Sequence, residues 1–338
     1  MPHSFAELVE QAASDGNGAP RAAGRLMSLL ENEPQRVSEL LQVAGERARQ
    51  PRLTVGVTGA PGSGKSTLTD ALVSEHRRRW PQRRVGVVAV DPSSPFTGGA
   101  VLGDRVRMMR HATDPNVYVR SLATRGQLGG LSLGVKAVVR VMGLIGCDLV
   151  LIETVGVGQS EVEVARVADQ VMVVMAPGQG DSVQLLKAGL LEIGDLFVVN
   201  KADRSGADEL MRALVSMWQL RKQDNANQSG DDGEGDAARD MPIMRVVATE
   251  GTGVGPLLDR LEAHADREDP EARRVRRDTA IREEMRSAIL EEAARRFERE
   301  LACDATLDEH VQALLDGRTN VQELTTRLLR RALADDAR

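Results

Sequence analysis

Seven short apolar runs punctuate the chain: TVGVT at 54–58, VGVVAV at 85–90, VYVR at 117–120, DLVLIE at 148–153, QVMVVM at 170–175, DLFVVN at 195–200 and PIMRVV at 242–247. Most are apolar at nearly every position instead of at alternate ones, the pattern of a strand covered on both faces. Stretches with helical spacing separate them. Strands alternating with helices predict an α/β fold with a mostly parallel, doubly wound sheet. Before the first run, Leu26, Leu29, Leu30, Leu40 and Leu41 recur at helical intervals and predict an N-terminal helical appendage over residues 1–50.

Beyond the last run, residues 255–268 predict a closing helix. EARRVRRDTAIREEMRSAILEEAARRFEREL at 271–301 predicts a long charged helix with too few apolar residues for a monomer core. It reads either as a solvated helix or as an oligomerisation arm. Between the last two runs, RKQDNANQSGDDGEGDAARD at 221–240 contains no apolar residue beyond three alanines and predicts a mobile surface loop. The expected divisions are therefore the appendage, a nucleotide-binding domain over 51–269 that carries the acidic 221–240 insertion, and a helical dimerisation arm over 270–338.

Composition narrows the function. Aromatic residues make up 2% of the 338 residues, too few for a base-stacking surface, and the net charge of -6 argues against a general nucleic-acid or anionic-membrane surface. Cys147 and Cys303 are the two cysteines; they are far apart and match neither a disulfide framework nor a zinc site. The N-terminus lacks a basic region followed by an apolar core, and no run of about 18 apolar residues occurs. These features predict a cytoplasmic protein with no nucleic-acid or membrane partner.

The chemistry begins at 59–66, where GAPGSGKS fits G-x-x-x-x-G-K-[ST] between a strand and a helical pattern. Gly59, Ala60, Pro61, Gly62, Ser63, Gly64, Lys65, Ser66 and Thr67 are the expected phosphate-binding residues. Backbone N–H groups turn inward around phosphate oxygens, Lys65 reaches the outer phosphates, and the Ser66 hydroxyl is placed to ligate Mg2+. NKAD at 200–203 follows another strand. A carboxylate only accepts hydrogen bonds, so Asp203 suits the two adjacent N–H donors on the edge of guanine and clashes with the acceptor of adenine. Asn200 can tie this loop to the phosphate loop, and the Lys201 stem can cover the base; as a bare tetrapeptide, NKAD also reads as a plain helix start. In VVATEGTGVG, where many GTPases place Ser-Ala against the guanine oxygen, this chain has Val247-Ala248, leaving the Ala248 N–H for that contact.

LVLIETVGVGQSE at 149–161 sets a carboxylate, Glu153, at the end of a buried apolar run and follows it with Gly156 and Gly158. In a P-loop protein an acid at the end of a second strand holds Mg2+ directly or through water, and a glycine shortly after offers its N–H to the γ-phosphate. Glu153 and Gly156 fit those two roles; a capping acid at a strand end is the alternative. Asp91 and Asp104 are two further candidate metal acids, Asp104 reading equally as the N-cap of a following helix. Ras-like proteins place a water-orienting glutamine directly after the switch glycine. Here that position is Val157, with Gln159 two residues further on.

GAPGSGKSTL, VDPSSPFTGGAVLGDRVRM, ETVGVGQSEVEVA, APGQGDSVQLLKAG and NKAD, in this order, resemble the methylmalonyl-CoA mutase-associated GTPases of the MeaB/ArgK type, within the SIMIBI class of P-loop GTPases. The similarity covers roughly residues 20–265. It implies a homodimeric GTPase, with GTP or GDP and Mg2+ bound, that assists an adenosylcobalamin-dependent acyl-CoA mutase by gating cofactor loading and protecting or reactivating the mutase. No cobalamin is expected on this chain. The resemblance also implies that Asp91, Asp104 and Glu153 are the magnesium-site acids, and that Lys187 lies in a further switch that approaches the nucleotide when a partner docks. Departures are the insertion at 221–240 and Val247 in place of a serine. Two other classes share the P-loop: a GTPase metallochaperone for nickel enzymes, which five scattered histidines supply poorly with ligands, and a transport-coupled ATPase or kinase, against which NKAD argues.

Overall fold

A computed structural model describes residues 4–16, 18–33, 36–47, 49–91, 109–123, 130–154, 164–178, 193–229, 242–267, scattered positions between 275 and 298, and 307–326. Its centre is a seven-stranded sheet made of β1 (Leu53–Thr58), β2 (Arg84–Asp91), β3 (Val117–Ala123), β4 (Cys147–Thr154), β5 (Gln170–Met175), β6 (Leu196–Asn200) and β7 (Ile243–Val246). The order across the sheet is β3-β2-β4-β1-β5-β6-β7, and every pairing is parallel. Each of the seven apolar runs forms one of these strands.

Helices cover both faces, which explains why the runs are apolar at nearly every position. On one face α4 (Lys65–Arg79) and α7 (Val254–Arg267) bury Leu68, Leu72, Leu257 and Leu261 over Val55, Val57, Val87 and Leu151. The opposite face is shared. Over β2 and β4 lies α5 (Gly130–Leu144), whose Val138 and Met142 join Val88, Val150 and Ile152. Over β5 and β6 lies α6 (Ala207–Ser229), whose Leu210 and Leu214 pack on Val173, Phe197 and Val199. Each fully buried Leu or Val side chain contributes about 1.5–3 kcal/mol relative to exposure.

The N-terminal helices α1 (Phe5–Ala12), α2 (Ala19–Asn32) and α3 (Val37–Ala44) place Leu8, Val9, Leu26, Leu30 and Leu40 in the same core cluster as α5, β2 and β4. Ser4 starts α1 with a capping box, its hydroxyl accepting from the Glu7 N–H while the Glu7 carboxylate accepts from the Ser4 N–H. Residues Met1–Ala272 make one compact unit and Arg273–Arg338 a second. In the second unit every described position between 275 and 298 is helical, and α8 spans Leu307–Leu315.

The expected loop at 221–240 is corrected in its first part: α6 runs on to Ser229. Arg, Lys, Gln and Ala in RKQDNANQS are good helix formers, and Leu210 and Leu214 already anchor the earlier turns, so propagation needs no further apolar face. The remainder of that stretch lies outside the described residues. Among the described residues no helix is long and apolar enough to cross a membrane.

Candidate functional site

Because the strands are parallel, their C-terminal ends share one edge of the sheet, where α/β proteins bind ligands. That edge gathers the motif residues: the phosphate loop after β1, Glu153 near the end of β4, Asn200 at the end of β6, and Ala248 just past β7.

The phosphate loop has backbone shapes that demand glycine at two close approaches. Gly59 sits at φ 135°, and a Cβ there would run into the backbone of Val174 in β5. Gly64, at φ 91°, caps the start of α4, and a Cβ there would collide with the Asn200 side-chain amide. No side-chain hydrogen bond caps this helix start, and a helix N-terminus of this kind favours an anion. Lys65 is buried, its Nζ donating to Gly59 O at 2.8 Å and Ala60 O at 3.0 Å, so the ammonium lies inside the curve of the loop. Ser63 and Ser66 are buried, Thr67 is half-buried, and Pro61 and Gly62 are exposed.

The Ser66 hydroxyl donates to Glu153 Oε1, and both residues are buried. Glu153 is the last but one residue of β4, paired in register with Val57 of β1 and Ala89 of β2. A hydroxyl and a carboxylate in contact beside the phosphate loop are hard oxygen donors of the kind Mg2+ takes. Among the described residues no three His, Cys, Asp or Glu side chains gather as an all-protein metal site. Asp91 closes β2, its backbone in register with Ala123. Its side chain, together with Asp104, Gly156, Val157, Gln159 and Lys187, lies outside the described residues.

Asn200 joins three loops. Its Nδ2 donates to Ser63 O at 2.9 Å and Gly64 O at 3.4 Å, and its Oδ1 accepts from the N–H groups of Lys201 at 2.8 Å and Ala248 at 3.2 Å. The amide spans the phosphate loop, the NKAD turn and the loop after β7. The Ala248 N–H, expected to face the base oxygen, is thus engaged by Asn200. Lys201 takes φ 55°, the one non-glycine positive φ among the described residues, and its Nζ donates to Gly62 O at 2.7 Å. Such a backbone persists only when its surroundings hold it. Here the Asn200 bond and the Gly62 bond do so, laying the lysine stem along the phosphate loop. Asp203 is exposed on the turn before α6. Sequence reasoning missed the Lys201 conformation and the Val174 backbone against Gly59, since no local signal marks either.

Comparisons with known proteins agree with this geometry. A Pyrococcus horikoshii protein named as a GTPase is 42% identical over 297 residues, covering 88% of this chain and 89% of that protein. The fused isobutyryl-CoA mutase of Geobacillus kaustophilus is 36% identical over 214 residues, 61% of this chain and 20% of that protein. A solved structure described as LAO/AO transport system kinase superposes with a TM-score of 0.62 over 99% of both chains at 22% identity, a likeness of fold. The family model described as methylmalonyl Co-A mutase-associated GTPase MeaB matches residues 23–300. With that match over most of its length, a parallel P-loop sheet and relatives named as GTPases, the chain is a GTPase and belongs to the methylmalonyl-CoA mutase-associated GTPase MeaB family.

Proposed function

We propose that this chain is a Mg2+-dependent GTPase that, as a homodimer, binds an adenosylcobalamin-dependent acyl-CoA mutase and couples the nucleotide state to cofactor loading and to protection or reactivation of the mutase. Methylmalonyl-CoA mutase is the first client to test. The observation that carries the reading is the relative named as a fused isobutyryl-CoA mutase, in which a stretch 36% identical to 61% of this chain occupies 20% of a far longer protein. The family description points the same way.

In this reading Lys65 and the loop N–H groups hold the phosphates, Ser66 and Glu153 hold Mg2+ together with Asp91 and Asp104, and Gly156 reports the γ-phosphate. When bound there, Mg2+ would supply charge neutralisation at the phosphates. Asn200, Lys201, Asp203 and Ala248 frame guanine, and Gln159 and Lys187 complete the hydrolytic site when a partner orders it. Val157 offers no group to orient water, so hydrolysis by the free protein is slow and a mutase accelerates it.

The test is single-turnover GTP hydrolysis by the free protein and by its mixtures with methylmalonyl-, isobutyryl- and ethylmalonyl-type mutases. The expected stimulation by the right client is roughly 10³-fold, the scale of a charge supplied in trans. A fast free enzyme that no mutase stimulates would overturn the partner-gated reading.

A further inference from the structure

Asp70 lies on α4 four residues past Ser66, one helical turn or about 6 Å along the axis. Its carboxylate gathers two side chains from the short 3-10 turn Met109–His111. Arg110 Nε donates to Asp70 Oδ1 at 2.6 Å, while Arg110 Nη2 pairs with Oδ2 and also donates to the Asp70 carbonyl at 2.9 Å. His111 Nε2 stands 3.0 Å from the same Oδ1. One turn on, Ser74 Oγ donates to the Asp70 carbonyl at 2.8 Å and lies 3.4 Å from His111 Nε2. Asp70 and His111 are largely buried, with side-chain exposures of 16% and 10%. A forked guanidinium–carboxylate contact of this kind fixes direction as well as distance.

Arg110 and His111 follow, after Met109, on residues 92–108, which contain Asp104, Arg105 and Arg107. Three peptide units join Arg107 to Arg110 and six join Asp104 to it. A second ion pair links α4 to the same part of the chain: Arg77 Nε donates to Asp114 Oδ2 at 2.8 Å. Arg77 is eleven residues from Ser66, about 16 Å along the helix, and also donates to the carbonyls of Trp80 and Pro81. Attachment of this stretch to α4 therefore does not depend on Asp70 alone; the Asp70 joint differs in standing next to the phosphate loop.

We infer that Asp70 is a positioning residue for GTP hydrolysis: with Arg110 and His111 it fixes the end of the segment bearing Asp104, Arg105 and Arg107 to the helix that carries Lys65 and Ser66. The inference rests on the proposed placement of Asp104 at the magnesium site. Its test compares full-length Asp70→Asn, Arg110→Gln, Asp114→Asn and Asp104→Asn in single-turnover GTP hydrolysis at varied Mg2+, GDP titration and thermal unfolding.

Asp70→Asn and Arg110→Gln are expected to slow hydrolysis about tenfold or more and to raise the Mg2+ needed for half-maximal rate, with GDP affinity held within about threefold, and Asp70→Glu to recover part of the rate. Asp114→Asn is expected to lower the unfolding midpoint and leave the rate and Mg2+ dependence unchanged. Wild-type rates in Asp70→Asn and Arg110→Gln beside an impaired Asp104→Asn would overturn the inference. So would rate losses that merely track the unfolding midpoint and GDP affinity. Wild-type rate and Mg2+ dependence in Asp104→Asn would instead overturn the proposed placement of Asp104 at the magnesium site, and the inference with it.

Discussion

The Ser66 hydroxyl donates to the Glu153 carboxylate, joining the first turn of α4 to the end of β4 across 87 residues of sequence. Both groups are buried beside the phosphate loop, and in the proposed reading they serve the metal and the phosphates. Glu153→Gln should reduce GTP hydrolysis by about 10²-fold or more while changing GDP affinity only a few-fold. Single-turnover rates beside GDP titrations check this. Equal losses in both would point to a folding defect.

In the proposed reading Asp203 sets the base. Asp203→Asn places a donor against guanine's own N–H groups, so GTP affinity should fall by at least about tenfold, and xanthine nucleotides, which present an acceptor there, should gain. Competition between GTP and XTP reads the exchange. An unchanged preference for GTP would remove Asp203 from the site.

Asn200 is 2% exposed and serves Ser63, Gly64, Lys201 and Ala248 at once. Asn200→Ala strands the N–H groups of Lys201 and Ala248 and releases the left-handed turn at Lys201. A loss of about 2–4 kcal/mol in stability or nucleotide binding is expected. Chemical denaturation with and without GDP separates the two, and a nearly silent substitution would show that the three loops hold their places without this amide.

His76 is expected to contribute to acid sensitivity. It is fully buried on α4, edge-on to Trp80 at 5.1 Å between ring centroids, and neither ring nitrogen has a hydrogen-bond partner. Burial pushes its pKa down from 6.5 to about 4, an effect that neighbouring Asp148 opposes and Arg83, Arg77 and Arg52 reinforce. The folded state holds the ring neutral while the unfolded chain takes up a proton between those two values. Its contribution to stability is therefore complete above pH 6.5 and lost progressively as pH falls towards 4. The loss is on the order of 3 kcal/mol. Urea unfolding of wild type and His76→Phe from pH 7.5 to 4.5 should show a flatter acid limb in the variant; parallel curves would mean that other groups carry the acid sensitivity.

The seven strands and their burial on both faces were legible in the sequence, because a run such as VGVVAV or LVLI states its own environment. GAPGSGKS and NKAD were legible for a related reason: the phosphate loop and the base turn are local backbone devices whose glycines, lysine and acids sit at fixed spacings. Adjacency was not. The order β3-β2-β4-β1-β5-β6-β7 puts β4 between β2 and β1, and only that placement brings Glu153 to Ser66. The same holds for Asn200, whose amide meets Gly64 across 136 residues and thereby excludes a side chain there. The left-handed Lys201 and the helical continuation from Arg221 to Ser229 also escaped local reading. In the first case strain is offset by partners from another loop, and in the second a helix already anchored by Leu210 and Leu214 propagates through residues with no apolar pattern of their own. Periodicity records which face of an element is buried; which element buries it is decided by contacts between residues far apart in the chain, and these exist only once the sheet has closed.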